Sequence, residues 1–195
     1  MIELPNKMIN FPAVCVDNFY EDPDAVRNWA LSLDYTPSNI GNYPGKRTAP
    51  LHNLDLNFFN EFCNKLFSLM YRVPTEEDGI EVSTMFQWIE PLHEDPNSPR
   101  NQGFIHIDGG HLFAGVVYLT PNTDPSKGTK IYSLKKELGN VTDQDFQRYA
   151  VDMKAYYLKG ENPEVFDQSI VSNNSYFDET INFSNVYNRM IGFDA

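Results

Sequence analysis

His106-Ile107-Asp108 is the sharpest chemical feature of the sequence. On an extended strand, residues i and i+2 project to one face with Cα atoms about 6–7 Å apart, so an imidazole and a carboxylate can converge on one ion at about 2.1 Å from each. Asp108 offers a hard anionic oxygen and His106 a neutral nitrogen, whose remaining ring N–H calls for an acceptor to hold it. Gly109 and Gly110 follow, and they let the backbone turn sharply without covering open coordination positions. A bare H-x-D is common, and taken alone it is more often a turn in which the two side chains bond only each other.

The elements that must position this pair are legible from periodicity. Ala13 to Phe19 reads as a short apolar strand, and Asp22-Pro23-Asp24 then starts a helix over Asp22 to Leu33 whose apolar face is Ala25, Val26, Trp29, Ala30 and Leu33. Tyr35 to Pro50, rich in proline and glycine, reads as loop. A second helix is expected over Asn53 to Arg72, with Leu56, Phe59, Cys63, Leu66, Phe67 and Met70 on one side. From Ile80 to Ile89 the period changes to two, which predicts a strand. Further strands are expected over Gly103 to Asp108, Leu112 to Leu119, Thr129 to Leu134, Ile181 to Phe183 and Val186 to Phe193, close-set and hence antiparallel. A third helix is expected over Thr142 to Leu158, lying on the sheet.

The chain has 195 residues, which favours one domain. Aromatic residues make up 14 % of it, enough apolar surface to offset the entropy of ordering a packed core. A net charge of −12 argues against nucleic acid, because no basic stripe is present to displace counterions from phosphates. The two cysteines, Cys15 and Cys63, cannot build a multi-bridge framework. Residues 1–7 lack the pattern of a signal peptide, and no apolar run reaches the ~20 residues of a membrane span. The expectation is a cytoplasmic protein, not associated with membranes.

The series F-I-H-I-D-G-G-H, A-G-V-V-Y-L-T-P-N, G-T-K-I-Y and Y-N-R-M-I-G-F, in this order, resembles the 2-oxoglutarate and Fe(II)-dependent oxygenases of the prolyl-4-hydroxylase-like branch. The likeness runs from Ile80 to the C-terminus. The D-N-F-Y-E-D-P-D-A-V-R and Y-P-G-K-R-T segments also look like those of small phage and marine bacterial members. The resemblance implies a mainly β fold with flanking helices, a double-stranded β-helix or cupin-like jelly roll, occupying residues 80–195. Residues 1–79 would be a helical support and residues near 142–160 an insertion. It implies that His106 and Asp108 are two ligands of an iron facial triad, and that the cofactors are Fe(II) and 2-oxoglutarate. The reaction would be hydroxylation of a small molecule or a protein side chain, coupled to oxidative decarboxylation of the keto acid.

In that family a second histidine follows the N-R-L strand by several residues, and a basic residue for the far carboxylate of 2-oxoglutarate comes later. After Arg189 this sequence holds only Met190 to Ala195. The expectation is a truncated member, lacking its last strands and leaving a sheet edge able to join another subunit. His111, His93 and His52 are the other histidines; each reads as a loop histidine or, for His111, as a substitute ligand in a cupin-like site with His106 and Asp108. Tyr118 and Gln87 are candidates to hydrogen-bond the keto acid or to be ordinary barrel residues. Lys46 and Arg47 can clamp a carboxylate or simply be solvated, and Arg189 can form an ion pair at the barrel wall. The rival reading is a non-catalytic jelly-roll binding or assembly module with a vestigial metal site.

Overall fold

The computed structural model describes residues 13–37, 45–69, 81–106, 113–135 and 163–193. The elements run β1 (Ala13–Val16), α1 (Pro23–Leu31), β2 (Thr36–Pro37), β3 (Lys46–Arg47), α2 (Leu51–Leu54), α3 (Leu56–Ser68), β4 (Gln87–Trp88) and α4 (Pro99–Gln102). They continue with β5 (Ala114–Val117), β6 (Thr129–Leu134), α5 (Pro163–Asn174), β7 (Phe177–Phe183) and β8 (Met190–Phe193). The architecture is mixed α and β, with small antiparallel sheets and, among the described residues, no closed barrel. The described residues of Met1–Asn28, Ile105–Gln147 and Ser172–Ala195 form one compact unit, and those of Trp29–Phe104 and Arg148–Val171 form another.

The first unit is built on a sheet of order β1-β8-β5, with β8 central. The central strand carries the apolar interior: Met190 and Ile191 are buried, Ile191 at 0 % exposure, together with Phe19. Gly192 of β8 faces Gly115 of β5, and the Phe113 ring covers Gly192, where a Cβ would lie 2.0 Å from its Cζ. An aromatic ring over paired glycines restores the apolar contact that two missing side chains remove. Strands β6 and β7 form a separate ladder from Thr129↔Phe183 to Leu134↔Phe177, with a bulge between Ile131 and Tyr132. On it Lys130 Nζ lies 2.6 Å from Glu179 Oε2, and this bond holds the Glu179 carboxyl below its usual range and raises Lys130. The expected antiparallel pairing is therefore found, but between strands distant in sequence: β5 with β8, and β6 with β7.

The loop after β1 is tied down by charge. Arg189 donates from Nε and Nη2 to the two Asp17 carboxylate oxygens at 2.6 and 2.9 Å, the bidentate geometry that suits a guanidinium. The hydrogen bond from Arg189 holds the Asp17 carboxyl below the usual range. Arg189 is thus the ion-pair residue that the sequence allows. Asp22 opens α1 as expected, its Oδ1 accepting the Ala25 N–H at 2.9 Å. The apolar face of this helix is Val26, Trp29, Ala30 and Leu33; Ala25 is exposed.

The second unit packs Trp29 edge-to-face against Phe58 and Phe86, with ring centroids 4.9 and 5.3 Å apart. Four expectations are corrected here. Tyr35 to Pro50 is not all loop, because β2 and β3 lie within it and β3 pairs antiparallel with both β2 and β4. The helix expected over Asn53 to Arg72 is two helices broken at Asp55, whose backbone is extended and whose side chain accepts the Phe58 N–H at 3.0 Å to start α3. Leu56, expected on the inner face, is 59 % exposed at the first position of α3, while Phe59, Cys63, Leu66 and Phe67 are buried or half-buried as expected, with Phe58 and Phe62 beside them. The strand expected over Ile80 to Ile89 is paired as a ladder only at Gln87–Trp88. Upstream of it, the Thr48 N–H donates to Phe86 O at 3.0 Å, and the Phe86 N–H returns to Thr48 Oγ1 at 3.1 Å.

Helix α5 was not anticipated, and β7 begins earlier than expected, at Phe177. The helix expected over Thr142 to Leu158 lies outside the described residues. Among the described residues no helix is long and apolar enough to cross a membrane.

Candidate functional site

The segment that carries His106 is not a laddered strand. Gly103–His106, expected to be the first part of a strand reaching Asp108, belongs to no sheet; Ile107 and Asp108 lie outside the described residues, as does His111. An extended backbone still needs partners for its N–H and C=O groups. Side-chain amides at the end of α5 supply them. The Ile105 N–H donates to Asn174 Oδ1 at 3.1 Å, and Asn173 Nδ2 donates to Ile105 O at 3.0 Å. Asn173 Nδ2 also donates to Asn174 Oδ1 at 3.1 Å, so the two amides form one network around the residue before His106. Asn173 is 0 % exposed, and its Oδ1 is buried without a hydrogen-bond partner. Such an acceptor costs about 1–3 kcal/mol relative to a satisfied one. Its orientation is set by the two acceptors that face Nδ2.

Beyond that network the His106 side chain is exposed. An accessible imidazole on a tethered backbone, with a carboxylate two residues on in the sequence, fits the donor set of a divalent metal as far as His106 is concerned. Among the described residues no three His, Cys, Asp or Glu side chains converge on a point. Two of the remaining histidines have other roles: His93 Nδ1 accepts the Asp95 N–H at 3.0 Å in its own loop, and His52 packs edge-on to Phe59 at 5.6 Å.

Tyr118, in the same unit as His106, follows directly on β5. Its N–H donates to Arg189 O at 2.9 Å, its carbonyl accepts from the Asn188 N–H at 2.7 Å, and its hydroxyl bonds Thr129 Oγ1 at 2.7 Å. Burial pushes the Tyr118 phenol up from its ordinary value. The phenol is therefore a neutral donor, fixed between the end of β5 and the start of β6. Arg47 and Gln87 lie in the second unit, where they are register partners on β3 and β4 and Arg47 Nε donates to Gln87 Oε1 at 3.0 Å. Lys46 beside them sits 5.1 Å over the Trp88 ring and 3.6 Å from Glu90 Oε1. The sequence reading placed these basic residues in a loop; the structure makes them strand residues with local partners.

The residues that inspection of the sequence missed are Asn173 and Asn174. Their one signal is an N-N-S-Y run just before a β-rich stretch, since asparagine often meets neighbouring backbone where a helix gives way to a strand.

The described residues define a mixed α and β protein of small antiparallel sheets, with a histidine on an amide-tethered segment. The chain belongs to the Family of unknown function (DUF6445), whose model matches residues 7–195. No curated protein and no solved structure matches it.

Proposed function

We propose that this chain is built on the plan of an Fe(II)/2-oxoglutarate-dependent oxygenase that hydroxylates a small molecule or a protein side chain, with His106 and Asp108 as metal ligands. The observation that carries this reading is the nesting of the strands after H-x-D. An outer pair, β5 with β8, encloses an inner pair, β6 with β7. A hairpin folded over so that outer strands meet outer and inner meet inner is the winding of a double-stranded β-helix, so the nesting supports that fold. Of the later motifs, Y-L-T-P directly follows β5, T-K-I-Y opens β6 and N-R-M runs into β8. When bound, iron with 2-oxoglutarate supplies C–H hydroxylation coupled to loss of carbon dioxide from the keto acid. His106 contributes a neutral nitrogen and Asp108 an anionic oxygen, which leaves coordination positions for a bidentate keto acid and for O₂. Tyr118 presents a half-buried, neutral phenol that can turn from Thr129 to an anionic oxygen.

A second reading, a non-catalytic jelly-roll module, draws on the same phenol being bonded to Thr129 and on Arg47 being bonded to Gln87. Anaerobic titration of the chain with Fe(II) and 2-oxoglutarate separates the two. The oxygenase reading expects a visible charge-transfer absorption that needs both additions and is absent from His106→Ala and Asp108→Ala. No such absorption, or one indifferent to both substitutions, would leave the binding module as the better account.

A further inference from the structure

We infer that Asn173 and Asn174 are positioning residues for the metal ligand at His106, an inference that rests on the reading of His106 given above. The observations are independent of any motif. Among the described residues Gly103–His106 is laddered to no strand, and both backbone groups of Ile105 are paired with side chains, the N–H to Asn174 Oδ1 and the carbonyl to Asn173 Nδ2. The amides stand where a neighbouring strand's peptide groups would. The imidazole of His106 leaves the backbone one residue beyond this tether, so the freedom of Ile105 sets the freedom of the ligand.

The two amides have opposite parts, which makes the inference specific. Asn174 contributes an acceptor, and an aspartate in its place keeps an oxygen for the Ile105 N–H. Asn173 contributes a donor to two acceptors, Ile105 O and Asn174 Oδ1, and it is wholly buried. An aspartate there would set oxygen against oxygen. The change keeps both bonds that Asn174 Oδ1 accepts, whereas at Asn173 it breaks both bonds that Nδ2 donates. Asn174, the half-buried end of the network, is the one to alter, because Asn173 is wholly buried. A ligand on an untethered segment samples many positions, and metal binding must then bear the cost of selecting the productive one.

The test uses cobalt(II) as the probe, titrated calorimetrically into the full chain and its variants, with amide hydrogen exchange at Ile105 followed in the metal-free proteins. Asn174→Ala should speed exchange at Ile105 and weaken cobalt binding at least tenfold. Asn174→Asp should stay within about threefold of the parent chain in both measurements. Asn174→Ala binding cobalt as tightly as the parent, with Ile105 exchange accelerated, would overturn the inference and leave the metal site standing. Cobalt binding by the parent that His106→Ala does not weaken would instead remove the metal site, and the inference with it. The His106→Ala titration tells these two failures apart, because a metal site that does not depend on the tether still loses cobalt when His106 is replaced.

Discussion

Replacing Asn188 by alanine should lower the unfolding free energy by about 3–5 kcal/mol, read from urea denaturation of the purified variant. Asn188 is buried and holds φ at +61°, a backbone region that a side chain with a Cβ enters at a cost and that asparagine enters more readily than most. Its side chain satisfies a complete peptide edge. Oδ1 accepts the Tyr20 N–H at 2.8 Å, and Nδ2 donates to Tyr20 O at 2.8 Å. Its own backbone adds two more links, accepting from the Phe19 N–H at 2.9 Å and donating to Tyr118 O at 2.7 Å. Alanine removes both side-chain bonds to the half-buried Tyr20 backbone and keeps the unfavourable φ. Glycine removes the same bonds but relieves the backbone, so Asn188→Gly should recover about 1 kcal/mol of the loss. An alanine variant within about 1 kcal/mol of the parent would mean that this residue does not join the loop after β1 to the β5–β8 ladder.

Gly128→Ala should cost roughly 3 kcal/mol, for a different reason. No positive φ is involved. A Cβ at Gly128 would lie 1.7 Å from the carbonyl oxygen of Phe183 and 2.8 Å from the Asn185 nitrogen, both backbone atoms that no rotamer change can move. Gly128 immediately precedes the first pair of the β6–β7 ladder, Thr129↔Phe183, and the Asn185 N–H closes the same turn on Pro125 O at 3.0 Å. Making room means parting the strands where the ladder begins. Besides the drop in urea midpoint, amide exchange should speed up first at Thr129 and Asn185. An unchanged midpoint would contradict the close approach of these two chain segments.

What the sequence made legible follows from the size of each signal. β6 is found with its expected bounds because Thr129 to Leu134 gathers two β-branched residues and an aromatic one directly after the turn residues up to Gly128. The start of α1 is found because Asp22-Pro23 carries both a cap and a fixed φ. β3 was read as loop because two residues are too few to show alternation, and only their register with Gln87 and Trp88 makes them a strand. The break at Asp55 was missed because apolar spacing continues through it, although an aspartate three residues before Phe58 is itself a cap. α5 escaped for the opposite reason. Val165 and Val171 face solvent, while a polar residue, Asn173, is among its most buried, so the usual apolar stripe is absent.

The candidate site shows the same division. H-x-D is visible in any reading because it is local. The tether of Ile105 is not, because it joins positions about 70 residues apart through amide groups that carry no hydrophobic pattern. Arg47 and Gln87 were singled out separately as cofactor contacts, and the structure supplies the relation that was missing, a cross-strand hydrogen bond. Local chemistry was readable, and long-range polar pairing was not.

The claim that His106 and Asp108 grip one ion together is tested most directly by adding substoichiometric manganese(II) and watching the ring-proton resonances of the four histidines by NMR. The account predicts that the His106 ring broadens first and far more than His52 or His93, and that Asp108→Asn abolishes this selectivity. Because the chain carries a net charge of −12, diffuse binding to surface carboxylates is the natural alternative outcome. Broadening spread over exposed acidic residues, with His106 no more affected than His52, would contradict the account.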